Sequence, residues 1–292
     1  MDTANLQTFI TVAKLESFSQ AAEQLYLTQP AISKRIAALE SELDARLFDR
    51  IGRRVTLTEA GRTLLPRAQA LLLEIEDSRR LISNLTGSVA GRLSLGTSHH
   101  IGLHRLPPVL RSYTASYPEV ELDLHFMDSE QACQAVLSGD LELGIVTLPL
   151  TPIAELESEI IWPDPLSIVV GADHPLARQK TIKLARLADF PAILPAKGTY
   201  TREVLEQTFA PRELALHIGM TTNYLETIRM LVGIGLGWSV LPRNMLDHDL
   251  HALDVPGLSL SRQLGVVRHR ARTLSNAAHA MIETLHQVTS RA

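Results

Sequence analysis

The sequence is almost free of cysteine: Cys133 is the single thiol in 292 residues, so an intrachain disulfide is excluded. The sequence also has no cysteine cluster that could hold zinc or an iron–sulfur centre, and a single thiol favours a reducing compartment. No apolar run approaches the roughly 20 residues of a membrane-spanning helix. The first five residues lack the basic and apolar segments of a signal peptide. We therefore expect a cytoplasmic protein without a membrane partner.

An excess of positive charge is also absent, since 28 basic residues stand against 32 acidic ones and the formal net charge is −4. Nucleic-acid-binding proteins usually carry an excess of Lys and Arg, so this average argues against DNA binding. The average conceals a local excess, because residues 46–67 hold six basic and two acidic side chains. The length predicts about two domains at roughly 100–200 residues each.

Short helical patterns fill the N-terminal segment. Ser19 is predicted to cap a helix over residues 20–25, and Thr28 is predicted to cap the next, over residues 29–43. Only residues 26–28 separate the two helices, and helices joined by so short a turn form a helix-turn-helix. This motif is typical of DNA-binding domains.

A predicted β-hairpin and a long helix follow the helix-turn-helix. Gly52 is a turn residue between basic side chains, and residues 55–57 alternate as in a strand, which predicts a wing. Thr58 is predicted to cap a helix that reaches about Leu85. Its apolar stripe, at nearly heptad spacing, comprises Leu64, Ala68, Leu71, Ile75 and Ile82. The stripe needs a partner, either its own domain or a second copy of the chain, and we favour dimerisation.

Beyond a small, flexible segment at residues 86–91, strands and helices alternate. This βαβαβ succession predicts a parallel sheet covered by helices. A pause at residues 162–165 separates it from a second set of strands and helices, so we expect two α/β lobes. The predicted elements include strands at 93–97, 120–127, 141–147, 166–170, 214–218 and 263–267, and helices at 103–117, 130–137, 200–209, 224–232 and 274–288.

Several of these segments resemble the LysR-type bacterial transcriptional regulators. Within the first 61 residues the similar segments occur in order and at the family's spacing. They are residues 18–22, 27–33, 36–40, 47–50 and 56–61. The C-terminal part is similar in layout, with local matches at residues 138–145 and 233–242. The total length also agrees, so the resemblance covers essentially the whole chain.

The resemblance implies a winged helix-turn-helix, a dimerising linker helix and a two-lobed α/β effector domain like a periplasmic binding protein. The expected domains are DNA-binding residues 1–58, linker helix 59–87 and effector-binding residues 92–292, with lobe I at 92–162 and 268–292 and lobe II at 163–267. Such a regulator binds double-stranded promoter DNA under the control of a small effector held between the lobes. It self-associates to a dimer and a tetramer, contacts RNA polymerase if it is an activator, and needs no cofactor.

The helix over residues 29–43 is the predicted recognition helix, because the first residues of such a helix reach base edges in the major groove. Gln29 can bond two atoms of an adenine, whereas Lys34 is suited to a phosphate. The arginines of the wing are expected on the adjacent backbone or minor groove. The expected DNA-binding residues are Ser19, Thr28, Gln29, Pro30, Ala31, Ser33, Lys34, Arg35, Arg50, Arg53 and Arg54.

The effector is expected in the cleft between the lobes, because ligands of open α/β sheets bind outside the carboxyl ends of strands. Hydroxyl and N–H groups at helix starts bind anions, so a small anion is the preferred ligand class. Each hydroxyl has the alternative of only capping its helix. The expected effector-binding residues are Thr97, Ser98, His99, His100, Asp128, Ser129, Thr147, Ala196, Lys197, Thr199, Thr222 and Trp238.

Three histidines, His99, His100 and His104, lie within six residues and bring a metal site into consideration. The last two share a helical face only if a helix already begins there. Gly102 argues against that helix, and no Glu or Cys is nearby in the sequence. We therefore expect no metal, and a ligand contact or a structural role for these histidines. Cys133 is expected to be buried and inert.

An enzyme is not expected, since the sequence contains no G-x-S-x-G, H-E-x-x-H or P-loop motif. The glycine-rich residues 233–237 end a predicted helix and lead into a strand, whereas a dinucleotide-binding loop requires the opposite order. The alternative that stays open is a solute-binding or enzymatic α/β protein with an accessory DNA-binding domain.

Overall fold

A computed structural model describes residues 1–51, 54–210 and 216–290, and for residues 50, 51 and 54 it describes the backbone alone. The chain divides into two compact units, Met1–Thr86 and Gly87–Ala292. In the part of the chain that is described, no helix is both long and apolar enough to cross a membrane.

The first unit is a three-helix domain with a hairpin and a long helix, as predicted. Its elements are α1 (Thr3–Leu15), α2 (Phe18–Gln24), α3 (Gln29–Leu43), β1 (Phe48–Ile51), β2 (Arg54–Leu57) and α4 (Glu59–Asn84). Strands β1 and β2 pair antiparallel, which confirms the hairpin. Thr28 caps α3, with its Oγ1 accepting from the N–H of Ala31 at 3.4 Å.

One predicted cap is wrong. Helix α2 begins at Phe18 and not at Gln20, because the hydroxyl of Ser17 accepts a hydrogen bond from the N–H of Gln20 at 3.2 Å. Ser19 therefore lies inside the first turn, where its side chain is exposed. Serine is an equally good cap at either position, so the backbone register decided between them.

The long helix α4 divides into two parts along its apolar stripe. Near its start, Leu64 and Ala68 of the stripe pack on the core of the first unit, together with the neighbouring Leu72. Towards its end, Ile82 and Leu85 are 70% and 85% exposed. The start of the helix therefore packs on its own domain. At its other end, apolar side chains are left exposed to solvent.

The second unit is an α/β domain with elements from residue 91 to residue 289. The elements are β3 (Gly91–Thr97), α5 (His99–His104), α6 (Leu106–Ser116), β4 (Val120–Phe126), α7 (Ser129–Ser138), β5 (Leu143–Thr147), β6 (Leu156–Gly171), β7 (Ala192–Leu194), α8 (Tyr200–Phe209), β8 (Ile218–Thr221), α9 (Leu225–Gly233), β9 (Ser239–Pro242), β10 (Leu250–Ala252), β11 (Leu260–His269) and α10 (Asn276–Thr289). The predicted strand at 214–218 falls largely on residues outside the described ones.

The strand order of the main sheet is β10-β6-β11-β5-β3-β4, with β9 also paired to β6. Strand β3 pairs parallel with β4 and β5, whereas β11 pairs antiparallel with β5 and β6. Strands β7 and β8 form a separate parallel pair. The long strands β6 and β11 are therefore the ones that pass from one half of the domain to the other.

Two apolar cores flank this crossing. The first core contains Trp162 of β6 and Leu264 of β11, and the second contains Leu166 and Leu260 of the same two strands. The outgoing strand thus changes cores between Trp162 and Leu166. The returning strand changes cores between Leu260 and Leu264, because Leu264 and Val266 pack in the first core.

The predicted helix at 103–117 is two helices. Helix α5 begins at His99, with the Ser98 hydroxyl accepting from the N–H of Ile101 at 3.5 Å, and α6 begins afresh at Leu106. Gly102 lies inside α5, where a Cβ would come within 2.3 Å of the Phe126 ring. The glycine therefore allows a close approach of α5 to β4 and does not break the helix.

Candidate functional site

A pocket in the second unit lies where strand ends and helix starts from both halves of the domain meet. Its volume is about 480 Å³, counting the space open to solvent. Many of its polar side chains begin a helix or end a strand, which is the position expected for a ligand site in such a sheet. Its lining comprises Ser98, His99, His100, Asp128, Ser129, Glu130, Thr147, Pro195, Thr199, Thr201, Asn223, Leu225 and Arg262.

The structure brings together around this pocket most of the side chains predicted for the effector. These are Ser98, His99, His100, Asp128, Ser129, Thr147 and Thr199. Several of these side chains also form hydrogen bonds with the backbone of the domain. The hydroxyl of Ser129 accepts from the N–H of Thr147 at 3.0 Å, and the hydroxyl of Thr199 accepts from the N–H of Arg202 at 3.3 Å.

The other predicted residues lie elsewhere. The buried hydroxyl of Thr97 donates to the carbonyl of Ile145 at 2.8 Å, which joins β3 to β5. Trp238 belongs to the second core, where its indole N–H donates to the carbonyl of Leu187 at 3.0 Å. Ala196, Lys197 and Thr222 are close in sequence to the lining, but they do not line the pocket.

Arg262 is the residue that the sequence reasoning missed. It is 5% exposed, and its Nε donates to Asp164 at 2.8 Å while its Nη1 donates to the Thr201 hydroxyl at 2.7 Å. Its Nη2 is buried and has no hydrogen-bond partner among the described atoms. Asp164 also accepts from Arg105 at 3.3 Å, so one buried carboxylate serves two guanidinium groups. The pocket wall therefore carries an unused donor on a buried cation.

A sequence signal for Arg262 exists in the alternation of β11. Leu260, Arg262 and Leu264 occupy every second position, and all three are buried. Since side chains along a strand alternate between its two faces, an arginine on the apolar face is expected inside. Arg262 lies in the middle of a strand, so the rule that ligands bind at strand ends does not point to it.

Two carboxylates also belong to the pocket wall. Asp128 accepts from the side-chain amide of Asn223 at 2.7 Å, a bond between the start of α7 and the start of α9. Glu130 accepts from the N–H of Tyr200, and burial raises the pKa of its carboxyl above the usual value. These acidic groups are engaged by donors of the protein, which leaves Arg262 as the lining cation with a free N–H.

The histidine segment forms a compact cluster on α5. The ring of His99 packs against Phe126 and Tyr224, with centroids 5.4 and 4.9 Å apart. His100 is 4% exposed, and burial, followed by the charge of Arg262, lowers its pKa to about 3. His104 Nε2 lies 3.0 Å from a carboxylate oxygen of Glu226 on α9. Glu226 is thus a carboxylate that is distant from the histidines in the sequence but adjacent to them in the fold.

Cys133 is buried in α7, which confirms the predicted packing. Burial raises the pKa of its thiol to about 11, so the thiolate is scarce at neutral pH.

The first unit presents the start of α3 on its surface. Thr28, Gln29, Pro30 and Lys34 are exposed, and Ala31 and Ser33 are partly exposed. Arg35 is partly buried, and its Nη1 donates to the hydroxyl of Thr8 at 3.4 Å. Helix α1 thereby holds the Arg35 guanidinium at the side of α3. Arg53 and the side chains of Arg50 and Arg54 lie outside the described residues.

One exposed side chain at this surface was not predicted. Tyr26 lies in the turn between α2 and α3, is 96% exposed and adopts a positive φ of 54°. A non-glycine residue in that region is uncommon, so the turn holds this ring outwards at some conformational cost.

Comparison with known proteins finds two family models along the chain. Residues 3–62 match "Bacterial regulatory helix-turn-helix protein, lysR family", and residues 86–290 match "LysR substrate binding domain". The RuBisCO operon transcriptional regulator of Allochromatium vinosum is 31% identical over 283 residues, which cover 95% of this chain and 93% of that protein.

Two solved structures show the same fold. Full-length CbnR in complex with its target DNA has a TM-score of 0.64 at 22% identity, covering 98% of this chain and 99% of that one. The effector-binding domain of QuiR in complex with shikimate has a TM-score of 0.63 at 19% identity, covering 69% of this chain and 98% of that one.

Proposed function

The chain belongs to the LysR family of transcriptional regulators, and we propose that it reads DNA with the start of α3 and responds to a small anion in the pocket of its second unit. The observation that carries the anion proposal is the buried, unpartnered Nη2 of Arg262 in the pocket wall. The proposal for DNA rests on the exposed side chains of the α3 start.

Helix α3 has an exposed start and a buried face. Its first turn presents Gln29 and Pro30 to solvent, while Ile32, Ile36 and Leu39 are buried in the core. A helix anchored in this way can place its first residues in the major groove without losing its packing. CbnR, a solved relative of this fold, was captured with its target DNA. We propose base contact for Gln29 and phosphate contact for Lys34.

We expect Gln29→Ala to weaken binding to the specific operator by about 1–3 kcal/mol and to relax sequence discrimination, because a bidentate base contact is lost. Lys34→Ala should weaken binding to all sequences alike and lower the salt dependence by about one unit of slope per bound subunit. The measurement is fluorescence anisotropy on an operator mapped by footprinting, over a series of KCl concentrations.

The matched control for this experiment is Lys180→Ala, which removes the same charge from an exposed position in the second unit. The assignment fails if Lys34→Ala and Lys180→Ala have the same salt slope. It also fails if Gln29→Ala leaves the discrimination between operator and unrelated DNA unchanged.

A small anion fits the charge of the guanidinium network at the pocket wall, whereas the lining carboxylates Asp128 and Glu130 are engaged by donors of the protein. Asp164 neutralises only one of two guanidinium groups, Arg105 and Arg262, so the network keeps a net positive charge. An anion accepting from Arg262 Nη2 would satisfy a buried donor, and hydrogen bonds to charged groups are the stronger kind. The hydroxyls of Ser98 and Thr201 stand on the same wall. The ligand of the related QuiR domain, shikimate, is a carboxylate.

The test of this proposal is the melting temperature of the full chain with carboxylates and inorganic oxyanions, each paired with a neutral amide or alcohol of similar shape at constant ionic strength. A ligand at 100 times its Kd stabilises the folded state by about 2.7 kcal/mol, so a rise of several degrees is expected for the binding anion. A neutral compound that raises the melting temperature while every anion fails would contradict the proposal.

We also place the self-association surface on the end of α4. Ile82 and Leu85 are largely exposed there, and a second copy of the helix would bury them. The division of the chain between Thr86 and Gly87 supports a linker at that point.

A further inference from the structure

His100, which lines the pocket, forms a cluster with His104 and Glu226, two residues that the pocket lining does not include. Each offers one ligand atom, and these three atoms all lie within 4.8 Å of one another. We propose that this cluster is a metal site for Zn²⁺, in which α5 supplies two imidazoles and α9 supplies one carboxylate. The site shares His100 with the pocket lining.

The spacing of the two histidines suits a shared ligand. They are four residues apart on α5, so their rings lie on one face of the helix, with centroids 4.8 Å apart. Glu226 Oε1 lies 3.0 Å from His104 Nε2 and 3.9 Å from His100 Nδ1. Around a tetrahedral Zn²⁺ the ligand atoms are separated by about 3.4 Å. Two of the three separations, 3.0 and 3.9 Å, lie on either side of that value, and the third is no more than 4.8 Å. Side-chain movements would therefore be enough to bring the three atoms around one ion.

The ring of His100 is the second, independent observation. It is 4% exposed, and neither of its nitrogens has a hydrogen-bond partner among the described atoms. A buried polar atom without a partner costs free energy, and such an atom in a native fold calls for an explanation. A metal bound to one ring nitrogen of His100 would give that buried atom a partner.

The charged groups around the cluster partly oppose one another. Arg105 and Arg262 are the cationic neighbours of His100, and they share the single carboxylate of Asp164, which leaves a positive charge on that side of the cluster. Glu226 supplies a negative charge directly to the site and is partly exposed. Two imidazoles and one carboxylate are a donor set that zinc takes in proteins, with a fourth position left for water or a ligand.

The site would connect the two halves of the second unit. Ile101 of α5 packs in the first core, next to the two histidines. Leu225 and Ile228 of α9 pack with Val169 and Ile193, on the side of the domain that the second core occupies. A metal held by both helices therefore resists their separation, and its binding is coupled to the closure of the cleft.

The test is Zn²⁺ binding to the full, untagged chain, measured by isothermal titration calorimetry after treatment with EDTA. We expect one Zn²⁺ per chain with a micromolar or lower Kd and a higher melting temperature. His104→Gln and Glu226→Gln alter partly exposed residues, and each should weaken binding at least tenfold. Replacing Zn²⁺ with Co²⁺ should give the visible absorption of a four- or five-coordinate site, and His100→Asn should remove it.

The matched control is His248→Gln, which alters the other cluster of possible ligands, Asp247, His248 and Asp249. That cluster has two exposed members and no buried one, and its variant should keep the wild-type affinity. The proposal is overturned if Zn²⁺ does not bind at tens of micromolar. It is also overturned if His248→Gln abolishes binding while Glu226→Gln retains it. Melting curves without metal check that each variant is folded.

Discussion

Arg262→Met is expected to abolish the response to the anionic effector while leaving the second unit folded. Methionine fills a similar length of the pocket wall but provides no charge and no N–H. Truncating one partner of a buried, charge-assisted contact costs about 2–5 kcal/mol, which corresponds to a loss of affinity of roughly 30-fold or more. The fold is expected to survive because Asp164 keeps Arg105 as its partner at 3.3 Å.

The measurement for Arg262→Met is calorimetric titration with the anion that most raises the melting temperature of the wild type. Arg229→Met is the matched control, since Arg229 lies on α9 and pairs with Asp247 outside the pocket lining. The control should bind the anion with wild-type affinity. An Arg262→Met protein that retains affinity within threefold would show that the anion does not rely on this guanidinium.

Gly61→Ala is expected to destabilise the first unit and to weaken DNA binding. A Cβ at this position would lie 2.2 Å from the carbonyl oxygen of Leu47 and 2.8 Å from the Leu57 side chain. The Leu47 carbonyl cannot easily move, because it accepts from the N–H of Thr58 at 3.0 Å. Helix α4 must therefore shift away from the segment before β1. Overpacking of this kind costs about 1–3 kcal/mol or more.

The two tryptophans make this effect measurable in the intact chain. Trp162 and Trp238 both belong to the second unit, so tryptophan fluorescence reports its unfolding alone. In Gly61→Ala the circular dichroism should show an additional transition at lower denaturant concentration, with the fluorescence transition unchanged. Gly233→Ala is the control, since its nearest contact is Asp249 Cβ at 3.7 Å. A Gly61→Ala protein with wild-type unfolding would contradict the packing argument.

The first unit could be predicted almost element by element, because its determinants are local. The cap at Thr28, the wing and the long helix after Thr58 each follow from a few neighbouring residues. The cap that was wrong, Ser19 instead of Ser17, is a choice between two identical residues two positions apart. Propensity rules do not distinguish such neighbours.

The pocket could be predicted only in part, because its residues meet through the sheet. Strand ends located Ser98, Asp128 and Thr147, since these follow local strand patterns. Arg262 and Glu226 reach the same region from β11 and α9, which lie much further along the chain. The role of Gly102 could not be predicted from its neighbours for the same reason. The ring that requires the glycine, Phe126, belongs to another element.

The two crossings between the cores also set the order in which the domain can assemble during synthesis. The second core is built from one continuous stretch, from Leu166 to Leu260, and it can close once that stretch has left the ribosome. The first core joins Leu93 of β3 to Met281 of α10, so it waits for the last helix of the chain. Truncation near the C-terminus would therefore leave the second core folded and the first core incomplete, with its apolar side chains exposed. Such a species is prone to aggregation and to degradation.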